Sequence, residues 1–174
     1  MSPGRRGRFR AEFGRTFEAH YDRILRFLDR IGGDPELAAD LAQETFVRLY
    51  RRGSLPDSPG SWLISVALNL FRNAYGARTR RRRLLDGRDA GAWHGDPPPQ
   101  PDRDADAECT RLRVRSALDR LTERERSLLL LRAEGYSYRD LGEALDLEEA
   151  SVGTLLARAR RRFRASYGEM THDG

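Results

Sequence analysis

The chain has 174 residues, 34% of them charged and 39% apolar, with a formal net charge of +5, room for one ordinary domain or two small ones. Its apolar runs, such as Leu128–Leu131, fall far short of the roughly 18 residues a membrane helix needs. Nor is an apolar stretch that would make a secretory signal found behind the Arg-rich Met1–Arg10. A single cysteine, Cys109, and three scattered histidines (His20, His94, His172) give neither an internal disulfide nor metal-ligand spacing. The expectation is a cytoplasmic, non-catalytic chain with no membrane insertion, no metal and no cofactor.

Charge divides the chain. Residues 1–83 carry 17 arginines against 9 acids, a net of +8. Residues 84–107 carry 2 against 6, a net of −4, and residues 108–174 carry 13 against 12, a net of +1. Every basic residue is arginine, which keeps its charge and presents a planar fork to phosphates and base edges. The acidic middle contains Asp96-Pro-Pro-Pro-Gln-Pro-Asp102 and few large apolar residues, and it reads as a flexible linker.

The flanking lobes read as helices, without period-2 strand patterning. After a tail over 1–12, apolar spacing predicts a first helix over about 13–31, stopped by Gly32-Gly33. Asp34-Pro35 opens a second helix as N-cap and first helical residue, reaching about Arg52. Ser58-Pro59 opens a third over about 60–78. Beyond the linker a helix is expected over about 108–120. Thr122-Glu-Arg-Glu125 then forms a capping box opening the next helix, and Ser137-Tyr-Arg-Asp140 forms another for a short helix to Leu145. A turn over 146–149 leads to a last helix over about 150–167, with a tail over 169–174. The fold class is all-α: two small helical domains, 13–83 and 108–168, joined by the linker 84–107, the second ending in a helix-turn-helix.

Three helix faces could carry function. The last helix places Val152, Leu155, Leu156, Ala159 and Phe163 on one side and Thr154, Arg158, Arg161 and Ala165 on the other. A basic face backed by an apolar stripe suits a major groove; a merely solvated basic face is the alternative. The second helix turns Ala38, Leu41, Ala42, Thr45, Phe46 and Leu49 inward and Asp40, Gln43, Glu44, Val47 and Arg51 outward. An acidic stripe on a basic lobe is a poor DNA surface and points to a protein partner, or to nothing beyond solvent. The third helix buries Leu63, Val66, Ala67, Leu70, Phe71 and Ala74 and exposes Ser65, Asn69, Arg72 and Gly76, flanked by Trp62 and Asn73. An aromatic, an arginine and asparagines together suit unstacked bases. Arg78 and Arg80–Arg83 follow and could hold phosphates.

These stretches resemble a known family. Ala38-Ala-Asp-Leu-Ala-Gln-Glu-Thr-Phe-Val-Arg-Leu-Tyr50 is similar to the core-polymerase-binding helix of bacterial sigma factors. Ser61-Trp-Leu-Ile-Ser-Val-Ala-Leu-Asn-Leu-Phe-Arg-Asn73 is similar to the promoter helix of the extracytoplasmic-function (ECF) group of the sigma-70 family. Leu121-Thr-Glu-Arg-Glu-Arg126, Glu134-Gly-Tyr-Ser-Tyr-Arg-Asp-Leu141, Ser151-Val152 and Arg158-Ala-Arg160 resemble that group's second domain. The resemblance implies an alternative sigma factor whose partners are core RNA polymerase, promoter DNA and an anti-sigma factor. It assigns Asp40, Gln43, Glu44, Phe46 and Val47 to polymerase docking. Trp62, Asn69, Arg72, Asn73, Arg78 and Arg80 fall to the minus-ten element, and Arg124, Arg126, Ser151, Thr154, Arg158 and Arg161 to the minus-thirty-five element. The chain departs from the family pattern at Leu68, where Arg is common, at Asn73, where Asp is usual, at Gly153 and Leu155 in the last helix, and at Asp146, where the turn has Gly. The alternative is a stand-alone helix-turn-helix regulator that does not bind polymerase.

Overall fold

The computed structural model describes residues 3–86 and 105–172, all of whose regular elements are helices. Helices α1 (Pro3–Gly32), α2 (Pro35–Arg52) and α3 (Pro59–Asp86) form one compact unit. Helices α4 (Ala105–Asp119), α5 (Glu123–Ala133), α6 (Tyr138–Leu145) and α7 (Glu149–His172) form a second. The proline-rich run 96–102 lies outside the described residues.

In the first unit, Ile24, Phe27, Leu28 and Ile31 of α1 close on Ala38, Leu41, Ala42, Phe46 and Leu49 of α2 and on Leu63, Ile64, Ala67, Leu68, Leu70 and Phe71 of α3. The start of α2 is as expected: Asp34 is the N-cap, its carboxylate accepting from the Leu37 N–H at 3.0 Å, with Pro35 at the first position. The start of α1 differs from the expected tail, because the helix begins at Pro3 rather than near Phe13. Phe9 is buried, 6.0 Å from the Phe13 ring and 5.9 Å from the Tyr50 ring. An aromatic every fourth residue (Phe9, Phe13, Phe17, Tyr21) extends the buried face past the arginine-rich sequence that suggested a tail.

The register of α3 is also corrected. Val66 and Ala74 are half-buried, whereas Ile64 and Leu68, not counted inward from sequence, are fully enclosed. A helix gripped by two neighbours buries a wider arc than a one-faced amphipathic helix. Leu68 therefore occupies core, not a DNA-facing surface.

In the second unit α7 packs against each of α4, α5 and α6, and its Val152, Leu156 and Ala159 meet Leu128, Leu131, Leu141 and Leu145 in the core, around a fully buried Tyr136. Both capping boxes form, Thr122 with Glu125 and Ser137 with Asp140. The turn between α6 and α7 is tight. The Leu147 N–H donates to Gly142 O at 2.8 Å, and a Cβ on Gly142 would sit 2.9 Å from Leu147 O, so only glycine fits. Asp146 turns the chain in the left-handed region (φ 54°, ψ 57°), a conformation aspartate tolerates better than most residues. The last helix runs to His172, so residues 169–172 continue it instead of forming a tail. Among the described residues no helix is long and apolar enough to cross a membrane.

Candidate protein and nucleic-acid interfaces

On the face of α2 away from its core Asp40 and Gln43 are exposed and Val47 is half-buried. Glu44 is part-exposed and takes a 2.8 Å ion pair from Arg48 one turn on. Phe46 is not on this face: it is 3% exposed. Its ring meets those of Phe17 at 5.0 Å, Tyr21 at 5.6 Å and Phe13 at 6.5 Å. Its contribution is to hold α1 against α2, which fixes the stripe in front of it. Two exposed rings of this unit went unassigned from the sequence, Tyr50 (48%) and Phe17 (37%). Tyr50 lies three residues past Val47 and seven past Gln43, so extending the outward stripe by one turn would have found it.

On α3, Asn69, Arg72 and Asn73 are exposed and Trp62 is half-buried. Spacings of seven, three and four residues align them along one stripe. The stripe is rigidly backed: the Tyr75 hydroxyl donates to the Gly32 carbonyl at the end of α1. Side chains of Arg78 and Arg80 lie outside the described residues. This face offers an aromatic surface, amide donors and acceptors, and a cation within a few turns, the chemistry that holds unstacked bases.

The helix-turn-helix of α6 and α7 exposes Ser151, Thr154, Arg158 and Arg161 along one side of α7, opposite the buried Val152, Leu156 and Ala159. The exposed start of α7 is acidic or neutral (Glu148, Glu149, Ser151, Thr154), and cations begin at Arg158. Inserted in a groove, such a helix would meet base edges with small polar groups and phosphates with its later arginines.

The two assigned arginines at the start of α5 part company. Arg124 is exposed. Arg126 is 6% exposed, with its Nη1 3.1 Å from Asp119 Oδ1 and its Nη2 3.5 Å from the carbonyls of Asp119 and Leu121. It ties the end of α4 to α5 and is corrected from a phosphate contact to a structural link. Burial lowers its pKa, opposed by the charges of Asp119 and Glu123. Next to it, Glu125 points into the unit with its side chain 4% exposed, 2.9 Å from Arg162 Nη1 and 3.7 Å from Arg158 Nε. Burial pushes this carboxyl upward. Hydrogen bonds from the Thr122 N–H and hydroxyl and from Arg162 outweigh that and hold it below the usual glutamate value.

Comparison with known proteins finds the Sigma-70 region 2 family over residues 16–82 and the Sigma-70 region 4 family over residues 111–163. The ECF RNA polymerase sigma factor EcfG of Rhodopseudomonas palustris is 35% identical over 145 residues, 79% of this chain and 74% of its own length. The ECF RNA polymerase sigma factor SigE of Mycolicibacterium smegmatis is 30% identical over 150 residues, 83% of this chain, which spans only 57% of that relative. Among solved structures, the sigma factor RpoE of Bartonella quintana, in complex with the anti-sigma factor NepR, superposes with a TM-score of 0.67. It is 19% identical, covering 89% of this chain and 96% of that one, a likeness of fold. With both sigma regions in order and such relatives, the chain belongs to the ECF group of the sigma-70 family.

Proposed function

We propose that this chain is an alternative sigma factor that binds core RNA polymerase and directs it to a specific set of promoters. The observation that carries the reading is the presence, in order, of a region 2 unit and a region 4 unit in one chain. A stand-alone helix-turn-helix regulator would not need the first. In this reading the outward stripe of α2 (Asp40, Gln43, Glu44, Val47) docks on polymerase. The stripe of α3 (Trp62, Asn69, Arg72, Asn73), with Arg78 and Arg80, takes the minus-ten bases as they unstack. Helix α7 reads the minus-thirty-five element through Ser151, Thr154, Arg158 and Arg161, aided by Arg124. The contribution is recognition rather than catalysis, in the bacterial cytoplasm where polymerase acts. The Bartonella sigma factor of similar fold is in complex with an anti-sigma factor, and in this reading an anti-sigma protein would bind this chain too.

The test is promoter-dependent initiation: core polymerase and this protein on genomic fragments, with transcript starts mapped. Discrete starts that vanish without the protein are expected, and neither starts nor a complex with core would overturn the reading. Asp40→Arg, at an exposed position, should abolish the complex while leaving the helical content unchanged; undiminished binding would remove α2 from the docking surface.

A further inference from the structure

Helix α7 carries five arginines between 158 and 164, and two of them, Arg158 and Arg162, converge on one carboxylate. Glu125 Oε1 is 2.9 Å from Arg162 Nη1 and 3.7 Å from Arg158 Nε, while Oε2 accepts from Arg162 Nη1 at 3.1 Å. The same Oε2 also accepts from the Thr122 N–H at 3.2 Å and the Thr122 hydroxyl at 3.0 Å. The carboxylate is fixed from below by the α5 capping box and closed off from water, whereas the guanidinium groups above it are 55% and 59% exposed.

That asymmetry has a consequence for DNA binding. A free surface arginine gives up rotamer freedom when a phosphate or base immobilises it, and that loss is subtracted from affinity. An arginine already held by a fixed partner loses less. The partner also cancels part of the positive charge that attracts any DNA sequence. A buried acid under two recognition-helix arginines therefore trades indiscriminate attraction for directed contact.

We propose that Glu125 is a positioning residue for upstream promoter recognition: it holds the Arg158 and Arg162 side chains in place on α7 before DNA arrives, without touching DNA itself. The inference rests on the sigma-factor reading above. Glu125→Gln tests it, because glutamine is also accepted at this capping-box position but cannot ion-pair the arginines.

The experiment uses the full chain with core polymerase on a promoter found by start mapping, comparing initiation with the upstream element intact or scrambled. Glu125→Gln should lower the preference for the intact element on the order of tenfold, the scale of one base contact. It should also steepen the salt dependence of binding by roughly one unit of log–log slope, since one anion is gone. In an Arg158→Gln, Arg162→Gln background, where neither tethered arginine remains, it should lower the preference no further. Thr122→Ala removes one of the two Thr122 bonds to the carboxylate and spares the backbone bond and the ion pairs, so it should lower the melting temperature and cost much less of the preference. Should Glu125→Gln fail to fold, Arg162→Gln breaks the same tether from its exposed side and should lower the preference equally.

A preference kept within twofold in the folded variant would overturn the inference, as would a further loss in the background lacking both arginines or an equal loss with Thr122→Ala. Wild-type protein that supports no promoter-dependent starts would overturn the sigma reading and the inference together. Starts with an unaltered Glu125→Gln preference would overturn only the inference.

Discussion

The two units hold their helices together by different means. Between α1 and α2 the crossing contacts are rings, Phe13, Phe17 and Tyr21 against Phe46 and Tyr50 at 5.0–6.5 Å. In the second unit arginine–carboxylate bridges join elements: Arg126 to Asp119, Arg162 to Glu125, and Arg120 to Glu169 at 2.7 Å. Among the described residues the unit with the helix-turn-helix buries no phenylalanine, its core being Leu, Val and Ala around Tyr136, whereas the first buries Phe9, Phe27, Phe46 and Phe71. It closes instead with charge, and its stability should answer to pH more strongly than the first unit's.

The largest expected effect is in the first unit. Phe46→Ala should cost about 3–5 kcal/mol, the usual range for deleting a buried phenylalanine, measured by urea unfolding. The loss should be the same at low and high salt. In the second unit Arg126→Met should cost about 2–3 kcal/mol, by removing the ion-pair partner that Arg126 gives the part-buried Asp119 carboxylate. An equal or better stability would show that Arg126 is held by shape and not by charge.

Acid sharpens the contrast further. Because the Glu125 carboxyl is held below its ordinary value of 4.5, the folded state binds its proton less readily than the unfolded chain. Its contribution to stability is complete well above that pH and fades as pH falls below it towards the folded value. Thermal melts at about pH 6 and about pH 4 should show the second unit losing more than the first, and Glu125→Gln should remove the excess.

The smallest effects are gains. At Gly153 a Cβ would meet Tyr138 Cε2 at 3.5 Å, an ordinary contact, so Gly153→Ala should stabilise the second unit by about 0.5–1 kcal/mol. Asp146→Gly should add about 0.5 kcal/mol by relieving the left-handed backbone. Thermal melts check both. A loss with Gly153→Ala would mean that α7 must stay loose at its start.

Much was legible in the sequence because it was local. Asp34-Pro35, Thr122 with Glu125 and Ser137 with Asp140 satisfy helix ends within three residues, and the structure forms all three. The inward residues of α2 were likewise readable from a 3.6-residue period, since that helix has one buried face. Other features required the neighbours. The helical start at Pro3 depends on Tyr50 waiting for Phe9, and Leu68 is core because α3 is held on two sides. Arg126 and Arg124 are two residues apart in one basic motif, yet one is buried on Asp119 and the other exposed. Periodicity assigns a residue to a side of its own helix. What waits on that side, an apolar helix, a carboxylate or solvent, is set by the neighbouring elements, and for Arg126 that decided between contact and support.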